Sequence, residues 1–293
     1  MRARLETLIR EWMISNEKVI FLAADIGGGL FKNLKKEFPE RVLNVGIAEQ
    51  NMIGMAAGLS CQGFRVICYS KACFISLRVV DQIKNALCYA KLPVILIAAD
   101  AGYDEANAGA PHIALEDIGV IKALAGIDLY IPSTFYGLTY SFEQAIKAEN
   151  PVYIRINKDK IEENLCQIQN ITDGCYYIRK KEKASLMYMV NGCNVMKAIN
   201  QKEGDIIAID DLQCDWTSVI ETIKKYSRIV VWEEQFADNG IYSILCRLFV
   251  ENHIVDKDIK RIGPSKEYKR YCFDRNSSNK EEWDMFKAKG GLM

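Results

Sequence analysis

The chain has 293 residues, of which 49% are hydrophobic and 26% are charged, a globular composition long enough for about two domains. Its 38 basic and 38 acidic residues give a formal net charge of zero, which argues against a basic nucleic-acid surface. No apolar run approaches the roughly 20 residues of a membrane span, the N-terminus lacks a signal-peptide block, and the cysteines form no C-x-x-C pair. We therefore expect a cytoplasmic protein with reduced thiols.

Short apolar segments alternate with helical patterns through the first half of the chain. Strands are predicted at residues 18–24, 65–69, 92–99, 129–132 and 152–156. Their apolar character is continuous rather than alternating, which is typical of strands that are covered on both faces in a parallel sheet. Between them, apolar residues recur at helical spacing over 48–59, 79–90 and 138–146. This alternation predicts a doubly wound α/β domain over residues 1–160.

The chain becomes charged and irregular over residues 161–184, which predicts a linker between domains. The α/β alternation then resumes with strands predicted at 185–190, 205–209 and 228–232 and a helix at 241–251. These elements predict a second, smaller α/β domain over residues 185–293, also with a parallel sheet. The polar tail after Asp274 is consistent either with a terminal helix or with partial disorder.

One carboxylate, Glu49, begins a helix that otherwise consists largely of small and apolar residues. An acid at this place can simply favour the positive end of the helix dipole. Alternatively, the glycines and alanines at positions 46–58 allow another backbone or subunit to approach closely, and the acid is then buried with a raised pKa. Spacing alone leaves both interpretations open.

A family resemblance emerges from four segments in order: VGIAEQNMIGMAAGLSCQG, RVVDQIKNALCYAKLPVILIAADAG, GAPHIALEDIGVIKAL and PVYIRINK. Together they are similar to the pyrimidine-binding domain of the transketolase family of thiamine diphosphate enzymes, over nearly all of residues 18–158. On weaker motifs, RIVVWEEQFADNGIYSIL resembles the C-terminal domain of that family. The resemblance implies the thiamine diphosphate pyrimidine-binding fold, followed by a smaller transketolase C-terminal-like domain.

The resemblance implies cofactor contacts for three residues. Glu49 matches the glutamate that contacts N1′ of the aminopyrimidine, where proton sharing favours the imino tautomer that deprotonates the thiazolium C2. Phe74 falls where the family stacks an aromatic side chain on the pyrimidine, although an ordinary core aromatic gives the same pattern. Asp25, after the first strand, resembles an acid near the thiazolium half of the cofactor.

The resemblance also assigns residues to the substrate. His112 matches a histidine that hydrogen-bonds sugar hydroxyls, and it is expected to be catalytic as well as substrate-binding. Asp100 stands where many transketolases carry a phosphate-binding histidine, and residues 107–109 replace a Glu-Asp-Gly sequence. An acid in place of a cation should repel a sugar phosphate, which suggests a different substrate. Arg155 lies either near the substrate phosphate end or, alternatively, on the surface at a strand end.

Two further acids, Glu233 and Glu234, follow a predicted strand. We interpret them as a solvated strand end, although a functional role is the alternative.

The family's diphosphate-binding motif, Gly-Asp-Gly followed by a Mg²⁺-binding Asn, does not occur, and the chain begins just before the pyrimidine-binding domain. We therefore expect a separate N-terminal, diphosphate-binding subunit that carries the Mg²⁺ ligands. This chain alone is then expected to be inactive, in an α₂β₂ assembly with no nucleic-acid or membrane partner.

The resemblance implies an enzyme subunit that transfers a two-carbon ketol unit between sugars, with thiamine diphosphate and Mg²⁺ as cofactors, specialised for an unusual sugar. Two alternatives stay open. One is the β subunit of a 2-oxo-acid dehydrogenase, which has the same two-domain layout. The other is a non-catalytic scaffold, against which the retention of Glu49 argues because a buried unpaired acid costs stability.

Overall fold

A computed structural model of the protein describes residues 1–158 and 162–266. It contains two six-stranded sheets with flanking helices. The strands are β1 (Val19–Ala23), β2 (Val42–Asn44), β3 (Arg65–Lys71), β4 (Ile95–Ala99), β5 (Asp128–Tyr130), β6 (Val152–Arg155), β7 (Gln169–Thr172), β8 (Cys175–Arg179), β9 (Leu186–Val190), β10 (Asp205–Ile209), β11 (Arg228–Trp232) and β12 (Asp258–Ile262). The α-helices are α1 (Arg2–Ser15), α2 (Gly28–Glu37), α3 (Glu49–Cys61), α4 (Ala72–Leu77), α5 (Val80–Gln82), α6 (Asp117–Lys122), α7 (Phe135–Lys147), α8 (Asn194–Ile199), α9 (Trp216–Ile223) and α10 (Ile241–Glu251). A π-helical turn covers Ile83–Cys88, and 3₁₀ turns cover Ala106–Ala108, Ala110–His112 and Glu163–Leu165.

The first sheet is entirely parallel, with the strand order β2-β1-β3-β4-β6-β5. β1 and β4 are buried along their whole length because helices cover both faces. Neighbouring residues of β1 enter opposite cores: Phe21 packs in one apolar cluster and Leu22 in the other. The five predicted strands and the doubly wound α/β architecture of this half are confirmed, and the short β2 is an addition.

The second sheet is mixed rather than parallel, with the order β12-β11-β9-β10-β8-β7. Its first four strands run parallel, whereas β8 pairs antiparallel with both β10 and β7. The expectation of a parallel second sheet is therefore wrong. A tight turn at Gly174, where φ is +70°, joins β7 to β8, and two strands joined by so short a turn must be antiparallel.

The hairpin of β7 and β8 lies within residues 161–184, where the sequence predicts an irregular linker. β7 has no buried residue and a polar sequence, so it shows none of the apolar pattern of a core strand. β8, by contrast, is buried over its first four residues. Much of the expected linker thus belongs to the second sheet. The exact domain boundaries stay a prediction, and the polar tail after Asp274 lies outside the described residues.

The two halves of the chain meet through backbone and side-chain hydrogen bonds. Tyr130 and Asp211 form an isolated antiparallel bridge, and the Ile131 N–H donates to the Asp210 carbonyl at 2.7 Å. The Asp210 carboxylate accepts a second bond from the Ser133 N–H at 3.0 Å. This junction lies beyond the ends of β5 and β10, so the second domain packs beside the carboxyl edge of the first sheet.

Nine cysteines in the described part of the chain are free thiols, and six of them are buried. Among the helices within residues 1–158 and 162–266, none has the length and apolarity of a bilayer-crossing segment.

Candidate active site

The candidate site lies at the carboxyl edge of the first sheet. Because its strands are parallel, residues that end or follow them meet at one edge: Asp25 after β1, Lys71 at the end of β3, Asp100 after β4 and Asn157 after β6. Ligands of open α/β sheets bind at this edge.

Glu49 is a buried acid in the first turn of α3, with only 2% of its surface exposed. The Ser70 hydroxyl at the end of β3 donates to its Oε1 at 3.1 Å. The Arg78 guanidinium, directly after α4, donates to its Oε2 at 2.7 Å. The carboxylate is therefore at a helix N-terminus and is also withdrawn from water, while its role toward a cofactor stays a prediction.

Arg78 connects Glu49 to two other predicted residues. Its guanidinium lies over the Phe74 ring, 4.1 Å from the ring centroid. The other neighbour of that ring is the His112 imidazole, 5.3 Å away between centroids in an edge-to-face arrangement at 70°. The structure thus joins Glu49, Phe74 and His112 in one series of contacts, which we call the Glu49–His112 row, with Arg78 between Glu49 and Phe74.

Sequence reasoning missed Arg78, although a signal was present. It follows Phe74 by four residues, and residues at this spacing share one face of a helix. The sequence therefore predicts a cation on the same helix face as the proposed stacking aromatic. Ser70 gave no such signal, because nothing local distinguishes a serine at a strand end.

His112 is half-buried, and its Nδ1 has no hydrogen-bond partner in the part of the chain that the structure describes. An unpaired buried nitrogen costs free energy, on the order of 1–3 kcal/mol. A hydrogen-bond partner for this nitrogen would offset that cost.

Asp25 is exposed, and two hydrogen bonds with Asn44 hold it at the end of β1. The Asp25 N–H donates to Asn44 Oδ1 at 3.1 Å, and Asn44 Nδ2 donates to Asp25 Oδ1 at 3.0 Å. Its φ of +50° turns the chain sharply toward Gly27 and α2. The predicted contact with the thiazolium half of a cofactor stays a prediction.

Asp100 is 3% exposed, and two cationic side chains lie beside its carboxylate. It is ion-paired with Arg2, and Lys158 Nζ lies 3.9 Å from its Oδ1. Lys158 also pairs with Glu105, and Lys71 Nζ lies 3.3 Å from Glu105 Oε2. Neighbouring cations thus compensate the charge of Asp100, and its predicted effect on a phosphate stays a prediction.

Arg155 is 1% exposed, so its interpretation as a surface arginine is wrong. Its Nε donates to Asp117 Oδ2 at 2.9 Å, its Nη2 donates to the Ala114 carbonyl at 3.1 Å, and its Nη1 lies 3.5 Å from Glu234 Oε2. Burial by itself would lower the pKa of Arg155, but the two carboxylates outweigh burial and raise it. Arg155 therefore stays charged, and its predicted role near the substrate stays a prediction.

Glu233 and Glu234 are buried, so the solvated strand end predicted for them is wrong. Arg261 Nε donates to Glu233 Oε1 at 2.7 Å, and Asn157 Nδ2 donates to Glu234 Oε2 at 2.9 Å. Burial raises the pKa of Glu233, and Arg261 opposes this. Residues of the second domain cover Glu233, whereas Glu234 is covered by the first domain.

Within residues 1–158 and 162–266, no group of three or more His, Cys, Asp or Glu side chains could hold a metal ion.

Comparison with known proteins agrees with the resemblance seen in the sequence. The family described as "Transketolase, pyrimidine binding domain" matches residues 1–163. The "Putative transketolase C-terminal section" of Methanocaldococcus jannaschii is 30% identical over 271 residues, 88% of this chain and 84% of that protein. A subunit of the apulose-4-phosphate transketolase of Actinobacillus succinogenes is 27% identical over 84% of this chain and 81% of its own length.

A solved structure described as "Split gene transketolase, inactive beta4 tetramer" is similar in fold. It has a TM-score of 0.76 and 22% identity, and the match covers 97% of this chain and 92% of that one. This likeness confirms the expected fold of two α/β domains.

Proposed function

The chain belongs to the transketolase family, and we propose that it is one subunit of a split, thiamine diphosphate-dependent enzyme that transfers a two-carbon ketol unit between sugars. The observation that carries the proposal is the Glu49–His112 row, in which a buried carboxylate, an aromatic face and an unpaired imidazole nitrogen lie together at the carboxyl edge of a parallel sheet.

The residues present fit the aminopyrimidine half of thiamine diphosphate. Glu49 is a buried acid that can share a proton with a ring nitrogen, and Phe74 offers a flat aromatic face. The cofactor supplies an electron sink for breaking a carbon–carbon bond beside a carbonyl group. Once Arg78 has withdrawn from Oε2, the Glu49 carboxyl would be the group that shares a proton with the ring nitrogen.

Arg78 occupies both features in this structure, because its guanidinium covers the Phe74 ring and bonds to Glu49 Oε2. Its side chain is 41% exposed, so it can withdraw into solvent. A ring that stacks on Phe74 and contacts Glu49 has to displace it.

His112 Nδ1 supports the substrate side of the proposal. A sugar hydroxyl that donates to this nitrogen would remove the cost of leaving it unpaired. His112 would then orient the sugar beside the Glu49 carboxylate, and such orientation lowers the entropy cost of reaching the reactive geometry.

A separate chain that binds the diphosphate and Mg²⁺ completes the proposed enzyme, in an α₂β₂ assembly. Two relatives are named as a C-terminal section and as a single subunit of a transketolase, and the matches cover 84% and 81% of their lengths. The split layout is therefore supported by proteins of similar extent.

The proposed substrate is a specialised sugar, and an anionic end group is compatible with the site. Arg2 and Lys158 compensate the charge of Asp100, so no unbalanced anion opposes a phosphate there. The relative named for apulose-4-phosphate acts, by its name, on a phosphorylated sugar.

The test is native mass spectrometry of this protein, alone and mixed with the diphosphate-domain chain from the same organism, each with thiamine diphosphate and Mg²⁺. We expect a cofactor-loaded complex of both chains in the mixture only, and ketol transfer by that mixture. A homodimer that retains the cofactor unaided would contradict the split layout. Decarboxylation of a 2-oxo acid instead of ketol transfer would favour a dehydrogenase, and a complex without cofactor would favour a scaffold.

A further inference from the structure

The loop that carries His112, residues 102–114, is closed at its base by a pair of backbone hydrogen bonds. The Gly102 N–H donates to the Ala114 carbonyl at 3.1 Å, and the Ala114 N–H donates to the Gly102 carbonyl at 3.0 Å. Between these residues the chain forms two 3₁₀ turns and no longer element. Such a segment needs contacts outside itself to hold one conformation.

Lys71 and Lys158 of the first domain hold the loop at Asp104 and Glu105. The second domain adds contacts at the base of the loop through Glu234, which is 2% exposed. Asn157 Nδ2 donates to Glu234 Oε2 at 2.9 Å and to the Ala101 carbonyl at 3.1 Å, on one stem of the loop. Arg155, paired with the same Glu234 oxygen, donates to the Ala114 carbonyl on the other stem. The Glu234 carboxylate is therefore linked to both ends of the loop through two buried side chains, one of which, Arg155, is also held by Asp117 at 2.9 Å.

The contact is close as well as polar. A Cβ atom added to Gly102 would collide with the Glu234 carboxylate, which would then have to move away from the loop. The Gly102 φ of +61° favours glycine independently.

Phe236 adds an apolar anchor from the same segment of the second domain. Its N–H donates to the Leu115 carbonyl at 3.4 Å. Its ring belongs to a small apolar cluster that it forms with residues of the loop and its stem: Tyr103, Ala106, Ile113 and Leu115.

We propose that Glu234 and Phe236 are positioning residues, through which the second domain sets the conformation of the loop 102–114 and the place of His112. The second domain then serves the active site of the first by ordering this loop before substrate binds. Pre-ordering lowers the entropy cost of binding, so its loss raises KM more than it lowers kcat. The statement about substrate rests on the proposed function, whereas the statement about the loop does not.

The first measurement is hydrogen exchange of the full chain alone, which needs no turnover. We expect Glu234→Ala and Phe236→Ala to speed exchange at the Gly102 and Ala114 amides by about tenfold or more, since local opening governs their protection. Glu234→Gln keeps the shape and one acceptor, so we expect a smaller acceleration. The control is Tyr226→Phe, which removes a buried hydrogen bond to Asp205 in the second domain without touching the loop.

Unchanged exchange at both amides in Glu234→Ala and Phe236→Ala would overturn the proposal. So would an equal acceleration in Tyr226→Phe, because the effect would then be general destabilisation. The second measurement is sugar-transfer kinetics of the two-chain complex, where we expect a KM several-fold higher with kcat less affected, and partial rescue by Glu234→Gln. A kcat loss without a KM change would contradict pre-ordering. If the wild-type complex transfers no ketol unit, the proposed function fails while the exchange result still decides the role of the second domain.

Discussion

Arg78 Nη1 lies 2.7 Å from Glu49 Oε2, so the buried acid of the site has a half-exposed cation as its partner. The same guanidinium covers the face of Phe74. The two groups expected to contact an aminopyrimidine ring are thus held together by one side chain, which a ligand can replace.

The Glu49→Gln substitution should abolish ketol transfer, by at least about 100-fold, because an amide cannot share a proton with a ring nitrogen. The glutamine keeps the shape and can still accept from Ser70, so assembly with the partner chain should be unchanged. The check is the transfer rate of the two-chain complex together with its native mass. Glu37→Gln, which changes an acid in an exposed pair on α2, is the matched control. Near-normal turnover by Glu49→Gln would indicate that Glu49 only interacts with the positive end of the helix dipole.

Arg78→Met should tighten thiamine diphosphate binding to the two-chain complex, because the ring no longer has to displace a guanidinium. An exposed cation–π contact and an ion pair with one exposed partner together contribute about 1 kcal/mol, so the gain is roughly fivefold in Kd. Isothermal titration calorimetry measures it. Arg10→Met, which removes an exposed arginine paired with Glu37, is the control. Weaker binding would instead show that Arg78 itself contacts the cofactor.

Arg155→Met should destabilise the protein by about 3–5 kcal/mol, because it removes the arginine that pairs with the buried Asp117 and Glu234 carboxylates. The measurement is the urea midpoint of this chain followed by circular dichroism. Arg10→Met, which breaks a solvent-exposed pair, should leave the midpoint nearly unchanged. An Arg155→Met midpoint equal to that of the control would mean that the buried pairs carry no stability.

The raised pKa of Asp210, which lies at the junction of the domains, predicts that the free energy of unfolding depends on pH. Burial raises the pKa of Asp210 to about 7, against an ordinary value of about 4 in the unfolded chain. Between these values the folded state binds the extra proton, so its stabilising contribution is complete at low pH and is lost as pH rises through about 7. From about pH 5.5 to 8, this one group should lower the free energy of unfolding by about 2 kcal/mol.

Asp210→Asn removes the titrating proton but keeps an acceptor for the Ser133 N–H and a partner for the Tyr176 hydroxyl. We expect its stability to decline less than that of the wild type over the same pH range, as measured by scanning calorimetry. Glu37→Gln should keep the wild-type slope. Equal slopes for Asp210→Asn and the wild type would contradict the raised pKa.

The sequence predicted strands correctly where the segment itself is continuously apolar. Residues 18–24 and 92–99 are apolar without interruption, and both contain fully buried strands because helices cover the two faces. Strand prediction failed for both strands of the hairpin, which lie in the stretch predicted as a linker: β7 has no buried residue, and β8 is buried over its first four residues. The expected parallel direction of the second sheet was also wrong, because the turn at Gly174 makes β7 and β8 antiparallel. An edge strand is stabilised by its neighbour rather than by its own sequence pattern.

By itself, the sequence determined the alternation of strands and helices, the family, and the identity of Glu49, Phe74 and His112 as candidates, because periodicity and short motifs are local properties of the chain. Only the tertiary structure decided which charges meet. Arg155 and Glu234 are 79 positions apart, and Arg78 and Glu49 are 29 apart. Whether an acid such as Glu234 is solvated or buried depends on which strand end packs against another domain. Such pairs depend on how whole helices and strands pack together, so local sequence patterns do not predict them.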